Sequence, residues 1–214
     1  MKTKDQFLLE NLYQKILLLE FSKPINLTPE IFQNKIKDIY DLEKKSFDAG
    51  TQDEDDLIDD SMQPNFLGYC LMDNDELKAF IYGFDARDQI PIVNDSLNDY
   101  LDEITFYGGH DKEKLKQIVG LMNNNNTFYV SNFAAFDEYK GSIALGRMVF
   151  SFLSELKNKG FKYLLFDGRK DTMNLIFKGE SLNQKRISNA GLNMVATTSP
   201  DQYDSSMLTL MEFI

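Results

Sequence analysis

Cysteine and histidine are nearly absent from this chain of 214 residues, which has one of each, Cys70 and His110. A single thiol excludes an internal disulfide and fits a reducing compartment, so a cytoplasmic location is expected. One Cys with one His leaves no ligand set for a structural zinc ion, and no metal is expected. Positive charge is scarce as well: 23 Lys and Arg face 34 Asp and Glu, a formal net charge of −11. A surface that negative repels phosphate backbones and anionic lipid. That argues against nucleic acid and membrane as partners and leaves room for a basic one. Long apolar runs are missing too. The Leu-rich residues 7–21 are interrupted by Glu10, Lys15 and Glu20, and no small-x-small cleavage site follows them. No run reaches the ~20 apolar residues of a membrane span. What is present is core material, 43% hydrophobic residues with 17 Phe, which excludes a disordered chain. At ~100–200 residues per domain, the length allows one large domain or two small ones.

Leu8, Leu12, Ile16 and Leu19 recur at helical spacing, so residues 4–21 read as an amphipathic helix. It forms an N-terminal addition over residues 1–27 that packs on the rest of the chain or serves a homodimer contact. Thr28 and Pro29 then have the form of an N-cap and first helical residue, with Glu30 at the positive end of the dipole. Phe32, Ile36, Ile39 and Tyr40 make one apolar face reaching to about Phe47. The acidic run at 53–60 reads as a solvated helical turn, or as a rim that attracts an amine-bearing substrate. Two β-type runs, 66–72 and 77–84, flank the turn cluster Asp73-Asn74-Asp75-Glu76 and predict a hairpin. Residues 85–126 form a long polar connection, with helices expected near 96–106 and 112–122, and His110 in a Gly-rich loop. Residues 127–136 are a strong strand. Residues 141–158 are a strong helix, with Ala144, Met148, Phe152 and Leu156 four apart, Lys157 and Lys159 at its negative end and Gly160 as its C′ residue. The strand 162–166 completes a βαβ-type unit with two parallel strands. A helical segment over 172–189 and β-type runs at 193–198 and 207–213 close the chain. No repeat or linker divides it, so residues 28–214 read as a single α/β domain with an insertion at about 85–126.

The informative segment is 128–148, where a hydrophobic strand runs into a turn of small residues that opens a helix. First-turn N–H groups lack intrahelical partners and lie at the positive end of the dipole, which makes an anion site suited to a pyrophosphate. Gly141, Ser142, Ala144 and Gly146 keep side chains out of the approach, and Lys140 and Arg147 add positive charge. The turn is neither a Walker loop nor a dinucleotide fingerprint.

In this setting the sequence resembles the GNAT superfamily of acyl-CoA-dependent N-acyltransferases. In that family the fourth strand is followed by an Arg/Gln-x-x-Gly-x-Gly/Ala loop and a long helix, and residues 134–147 are similar to that stretch. Residues 39–47, Ile-Tyr-Asp-Leu-Glu-Lys-Lys-Ser-Phe, look like the family's first helix, and the hairpin 66–84 looks like its second and third strands. The resemblance implies a mixed, largely antiparallel central sheet with a splayed parallel pair, flanked by helices. It also implies acetyl-CoA as co-substrate. Its pantetheine arm would bond main-chain groups near Phe133 and Ala135. Its phosphates would meet Lys140, Gly141, Ser142, Ala144, Leu145, Gly146 and Arg147, and Asn174 matches a frequent cofactor-contacting Asn. Counted from Lys140, the family's two small-residue positions fall on Ile143 and Leu145, and a slip of one residue brings them onto Ala144 and Gly146.

The family's catalytic positions are less well matched. Residues 172–191 contain no Tyr to act as general acid, and the fourth strand has Ser131 where many members carry a Glu base. Asp167 reads equally as a turn residue, Tyr203 lies in a polar loop, and Cys70 reads as core. The catalytic residues are therefore left open. The expected activity is transfer of an acetyl group to a primary amine, on a small molecule or a protein, by direct attack. The alternative is a catalytically silent acyl-CoA-binding or protein-interaction module.

Overall fold

The computed structural model describes residues 23–47, 52–86, 112–122, 126–169, 191–198 and 206–214. The helices expected over 4–21, 96–106 and 172–189 lie outside these residues, together with His110, Asn174 and Tyr203. The described residues of 1–82 and 132–152 form one compact unit, and those of 83–131 and 153–214 form another. A seven-stranded sheet has the order β1-β2-β3-β4-β5-β7-β6. Its strands are β1 (Ile25–Asn26), β2 (Leu67–Asp73), β3 (Glu76–Asp85), β4 (Thr127–Ala135), β5 (Tyr163–Arg169), β6 (Leu192–Thr197) and β7 (Ser206–Phe213).

In the first unit, Thr28 caps α1 (Pro29–Asn34) by accepting the Ile31 N–H on its hydroxyl at 3.3 Å. The single helix expected up to Phe47 is broken at Lys35, whose N–H is shared between the Ile31 and Phe32 carbonyls, both at 3.0 Å. The Lys35 ammonium pins that tightened turn to the Asp75 carbonyl at 2.6 Å and to Asp38 at 3.2 Å. The chain resumes as α2 (Ile36–Ser46). The acidic run is a true helix, α3 (Glu54–Ser61), started by a capping box between Asp53 and Asp56 and anchored by buried Leu57. Asn74 and Asp75, with φ of 49° and 66°, make the turn between β2 and β3. Left-handed backbone at both central residues matches the twist of the flanking strands, which is why Asn-Asp serves here. The core gathers Leu27, Phe32, Ile39, Leu42, Leu57, Cys70, Phe80 and Tyr82.

In the second unit, α4 (Lys112–Met122) buries Ile118 and Val119 against Tyr163, Leu165, Ala196 and Leu210. β4 and β5 pair in parallel from Thr127↔Tyr163 to Val130↔Phe166, as the βαβ pattern implied. The helix after β4, α5 (Ile143–Asn158), belongs to the first unit as far as Phe152; its Ala144, Met148, Phe152 and Leu156 are fully buried, the row of four-residue spacings seen in the sequence. It ends at Gly160, with φ of 87°. There Phe161 N–H reaches the Leu156 carbonyl and Gly160 N–H the Lys157 carbonyl, a Schellman motif. None of the helices among the described residues is long and apolar enough to cross a membrane.

Gly83 on β3 is required by space. A Cβ there would lie 1.9 Å from the Tyr129 carbonyl oxygen and 2.8 Å from the Phe128 ring. Since the nearer obstacle is backbone, Gly83→Ala should destabilise by more than the ~1–3 kcal/mol typical of overpacking. Urea unfolding of the two proteins measures it, and equal midpoints would contradict it.

Candidate functional site

The turn between β4 and α5 is built within the first unit. As β4 ends, the Phe136 N–H bonds the Lys78 carbonyl at 3.0 Å, tying the exit of the strand to β3. A 3-10 turn, Asp137–Tyr139, follows, with Tyr139 buried. Gly141 then takes φ of 76°, a conformation that turns the chain into the helix and suits glycine. Ser142 is the N-cap. Its hydroxyl accepts the Leu145 N–H at 3.1 Å, and its carbonyl accepts the Gly146 N–H at 3.1 Å. The first-turn N–H groups of Ile143 and Ala144 carry no such bond among the described residues, as helix geometry requires of the first turn. A Cβ on Gly141 or Gly146 would meet nothing within 4 Å, so the approach to the turn is open.

The charges beside this turn are unevenly distributed. Lys140 is exposed and pairs with Asp137 at 2.8 Å, which holds the Asp137 carboxyl below its ordinary range. Its positive charge is thus partly met by its own turn. Two further cations lie over the Phe136 ring: Lys45 Nζ at 5.1 Å from the centroid and Lys78 Nζ at 5.5 Å. They come from α2 and β3, and sequence reading did not connect either with this turn.

The first unit also holds a buried polar cluster. Glu43 of α2 is 3% exposed and Asn132 of β4 is 7% exposed. Glu43 Oε1 accepts the Gln52 N–H at 3.3 Å. Gln52 Nε2 donates to Asp60 Oδ2 at 3.0 Å, and the Tyr82 hydroxyl lies 3.2 Å from Gln52 Oε1 and 3.1 Å from Asp60 Oδ2. Burial pushes the Glu43 carboxyl above its ordinary range and the nearby Asp60 charge adds to the rise, while the Gln52 N–H and the Asn132 amide pull it down. Glu43 Oε2 and Asn132 Oδ1 are both buried without a hydrogen-bond partner.

The sequence-predicted residues fall as follows. Ser142, Ala144, Leu145, Gly146 and Arg147 form the N-cap and first turns of α5, with Lys140 and Gly141 leading into them. Ala144 faces the core, and Leu145 is half-buried. Phe133 is exposed in mid-β4, and Ala135 is its buried last residue. Ser131 is half-buried and Asp167 exposed, while Cys70 is fully buried with its thiol pushed up to about 11. Glu43, Asn132, Gln52 and Asp60 were not singled out as site residues. The signal was available for the first two. Ile39, Leu42 and Glu43 share one helical face, so a carboxylate sits in an apolar row, and Asn132 has the parity of buried Ala134 on β4.

No protein-family model matches the sequence, and no curated protein matches it. The folded chain is similar to solved structures that share little sequence with it. One is the ribosomal-protein-S18-alanine N-acetyltransferase from Escherichia coli, with a TM-score of 0.50 and 13% identity over 88% of this chain and 91% of that one. A second is the GNAT domain of S. lividans PAT, with a TM-score of 0.51 and 9% identity over 88% and 89%. A third is AAC(6')-Ib in complex with ribostamycin and coenzyme A, with a TM-score of 0.50 and 11% identity over 89% and 92%. The fold is that of the GNAT N-acetyltransferases, as the resemblance implied.

The unmet acceptors of Glu43 and Asn132 generate a stability prediction. Since the folded carboxyl is raised, the ionised form costs stability as pH climbs past the unfolded value of 4.5. Glu43→Gln removes the charge, keeps an acceptor for the Gln52 N–H and adds a donor beside Asn132. The variant should be more stable at pH 7 by order of 1 kcal/mol, the low end of the ~1–3 kcal/mol assigned to an unmet buried polar atom. The gain should vanish as pH falls below 4.5. Thermal unfolding across pH measures this, and a loss of stability at pH 7 would refute it.

Proposed function

We propose that this chain transfers an acetyl group from acetyl-CoA to a primary amine by direct attack, with no covalent enzyme intermediate. The observation that supports it best is the strand–turn–helix junction at Gly141–Ser142, set in an acetyltransferase fold. The group the fold implies fits the residues present. Ile143 and Ala144 offer first-turn N–H groups, Gly141 and Gly146 leave the approach open, and Lys140 and Arg147 supply side-chain charge. Acetyl-CoA brings the activated acyl group. The chain's own contribution is to orient it: main-chain groups near Phe133 and Ala135 would hold the arm, and a main-chain N–H there would face the thioester oxygen. Orientation alone supplies up to ~7–11 kcal/mol. The solved neighbours act on different acceptors: one is named for an alanine of a ribosomal protein, another is bound to ribostamycin. The amine class, rather than one molecule, is therefore proposed.

Gly146→Glu tests the cofactor reading. A Cβ there meets no atom within 4 Å and the position is exposed, so the fold should tolerate it. A carboxylate in the proposed phosphate approach should weaken acetyl-CoA binding at least tenfold, about 1.4 kcal/mol, without loss of thermal stability. Titration calorimetry reads the affinity. Equal affinity for the two proteins, or no binding by folded wild type at millimolar ligand, would sink it. Tight binding with no CoA release across a broad amine panel would assign the silent module instead.

Direct attack also has a test. The only thiol is buried, and at about 11 it is almost wholly protonated at neutral pH, so it is no nucleophile. Cys70→Ala should leave CoA release nearly unchanged, and in both proteins the rate should climb with pH as the acceptor amine loses its proton. A trapped acyl-enzyme that disappears in Cys70→Ala would overturn direct attack.

A further inference from the structure

The buried polar cluster of the first unit has a charge deficit. The groups acting on the buried Glu43 carboxyl are Gln52, Asn132 and Asp60: one backbone N–H, one amide and a second carboxylate. None is a cation. Buried charges are ordinarily paired, and an unmet buried acceptor is destabilising. Here two acceptors are left over from two different elements, Glu43 Oε2 on α2 and Asn132 Oδ1 on β4. When Glu43 is ionised both oxygens only accept, so they cannot satisfy each other. Tyr82 and Gln52 are engaged with Asp60 and with one another. A water molecule would supply hydrogens but no charge. A primary ammonium supplies three N–H donors and a positive charge. Asn132 belongs to the same strand as Phe133 and Ala135 and lies ten residues before Ser142, so one of the two acceptors is carried by the strand that leads into the proposed phosphate turn.

We infer that Glu43 and Asn132 recognise the acceptor's primary amine: it arrives as the ammonium, Glu43 Oε2 and Asn132 Oδ1 each take one N–H, and the third proton leaves to solvent before the freed lone pair attacks. This rests on the acetyl-transfer reading, and it makes Glu43 a specificity-determining residue for the amine. The cost of leaving two buried acceptors unmet fits such a role, because a bound ammonium would relieve it.

The test uses the full chain, ¹⁵N-labelled, with n-butylamine at pH 7 as the probe and n-butanol as the uncharged control. The Asn132 side-chain amide signal is identified by its loss in Asn132→Ala. Butylamine should shift that signal saturably and butanol should not. Glu43→Gln should weaken the butylamine response at least tenfold while leaving acetyl-CoA affinity, read by calorimetry, unchanged. Where butylamine or another amine is turned over, the same variant should raise KM for the amine more than it lowers kcat. No shift by butylamine, or an equal response in Glu43→Gln, overturns the inference and assigns the two acceptors to an internal water. Because amine binding is read without turnover, that failure is distinct from failure of the acetyl-transfer reading, which shows as absent acetyl-CoA binding.

Discussion

A parallel pair of neighbouring strands cannot be joined by a tight turn. It needs a crossover, and the pairing of Thr127–Val130 with Tyr163–Phe166 makes that demand on everything between them. α5 meets it, and Ala144, Met148, Phe152 and Leu156 are its fully buried row. The crossover also decides where a helix N-terminus falls, one short turn past the end of β4. The open turn at Gly141 and Ser142 is thus a consequence of sheet topology. Its anion-facing character comes from backbone N–H groups and needs few side chains, which is why an acidic chain can carry it.

The same strand joins two kinds of polarity. One end runs into the helix N-terminus, where the local field is positive. Its Asn132 stands beside a buried carboxylate, where the field is negative and unmet. A fold selected for stability alone would put an apolar or amide side chain at Glu43, since Ile39 and Leu42 on the same face are fully buried. That a carboxylate is kept there, against its desolvation cost, is the physical ground for assigning it a ligand.

Local structure was legible wherever the chemistry was local. The Asn74-Asp75 turn, the Thr28 cap followed by Pro29, the four-residue row of α5 and the Gly160 terminus are each set by residues within a few positions of one another, and all stand where expected. The break at Lys35 was not legible. It is held by the Asp75 carbonyl, forty residues on, and no periodicity in residues 29–47 reports that contact. The acidic run illustrates both cases. Its helix could be read from the residues, but the engagement of Asp60 with Gln52 and Tyr82 needs three elements brought together.

The sequence by itself determined the α/β class, the parallel unit and the turn that opens α5, because periodicity and glycine placement act through backbone geometry within a single segment. Only the tertiary structure decided that Glu43 and Asn132 would be buried side by side with two acceptors unmet, and that Lys45 and Lys78 would share the Phe136 ring. Desolvation and charge pairing depend on what surrounds a group from every side. For these residues, those neighbours come from distant parts of the chain.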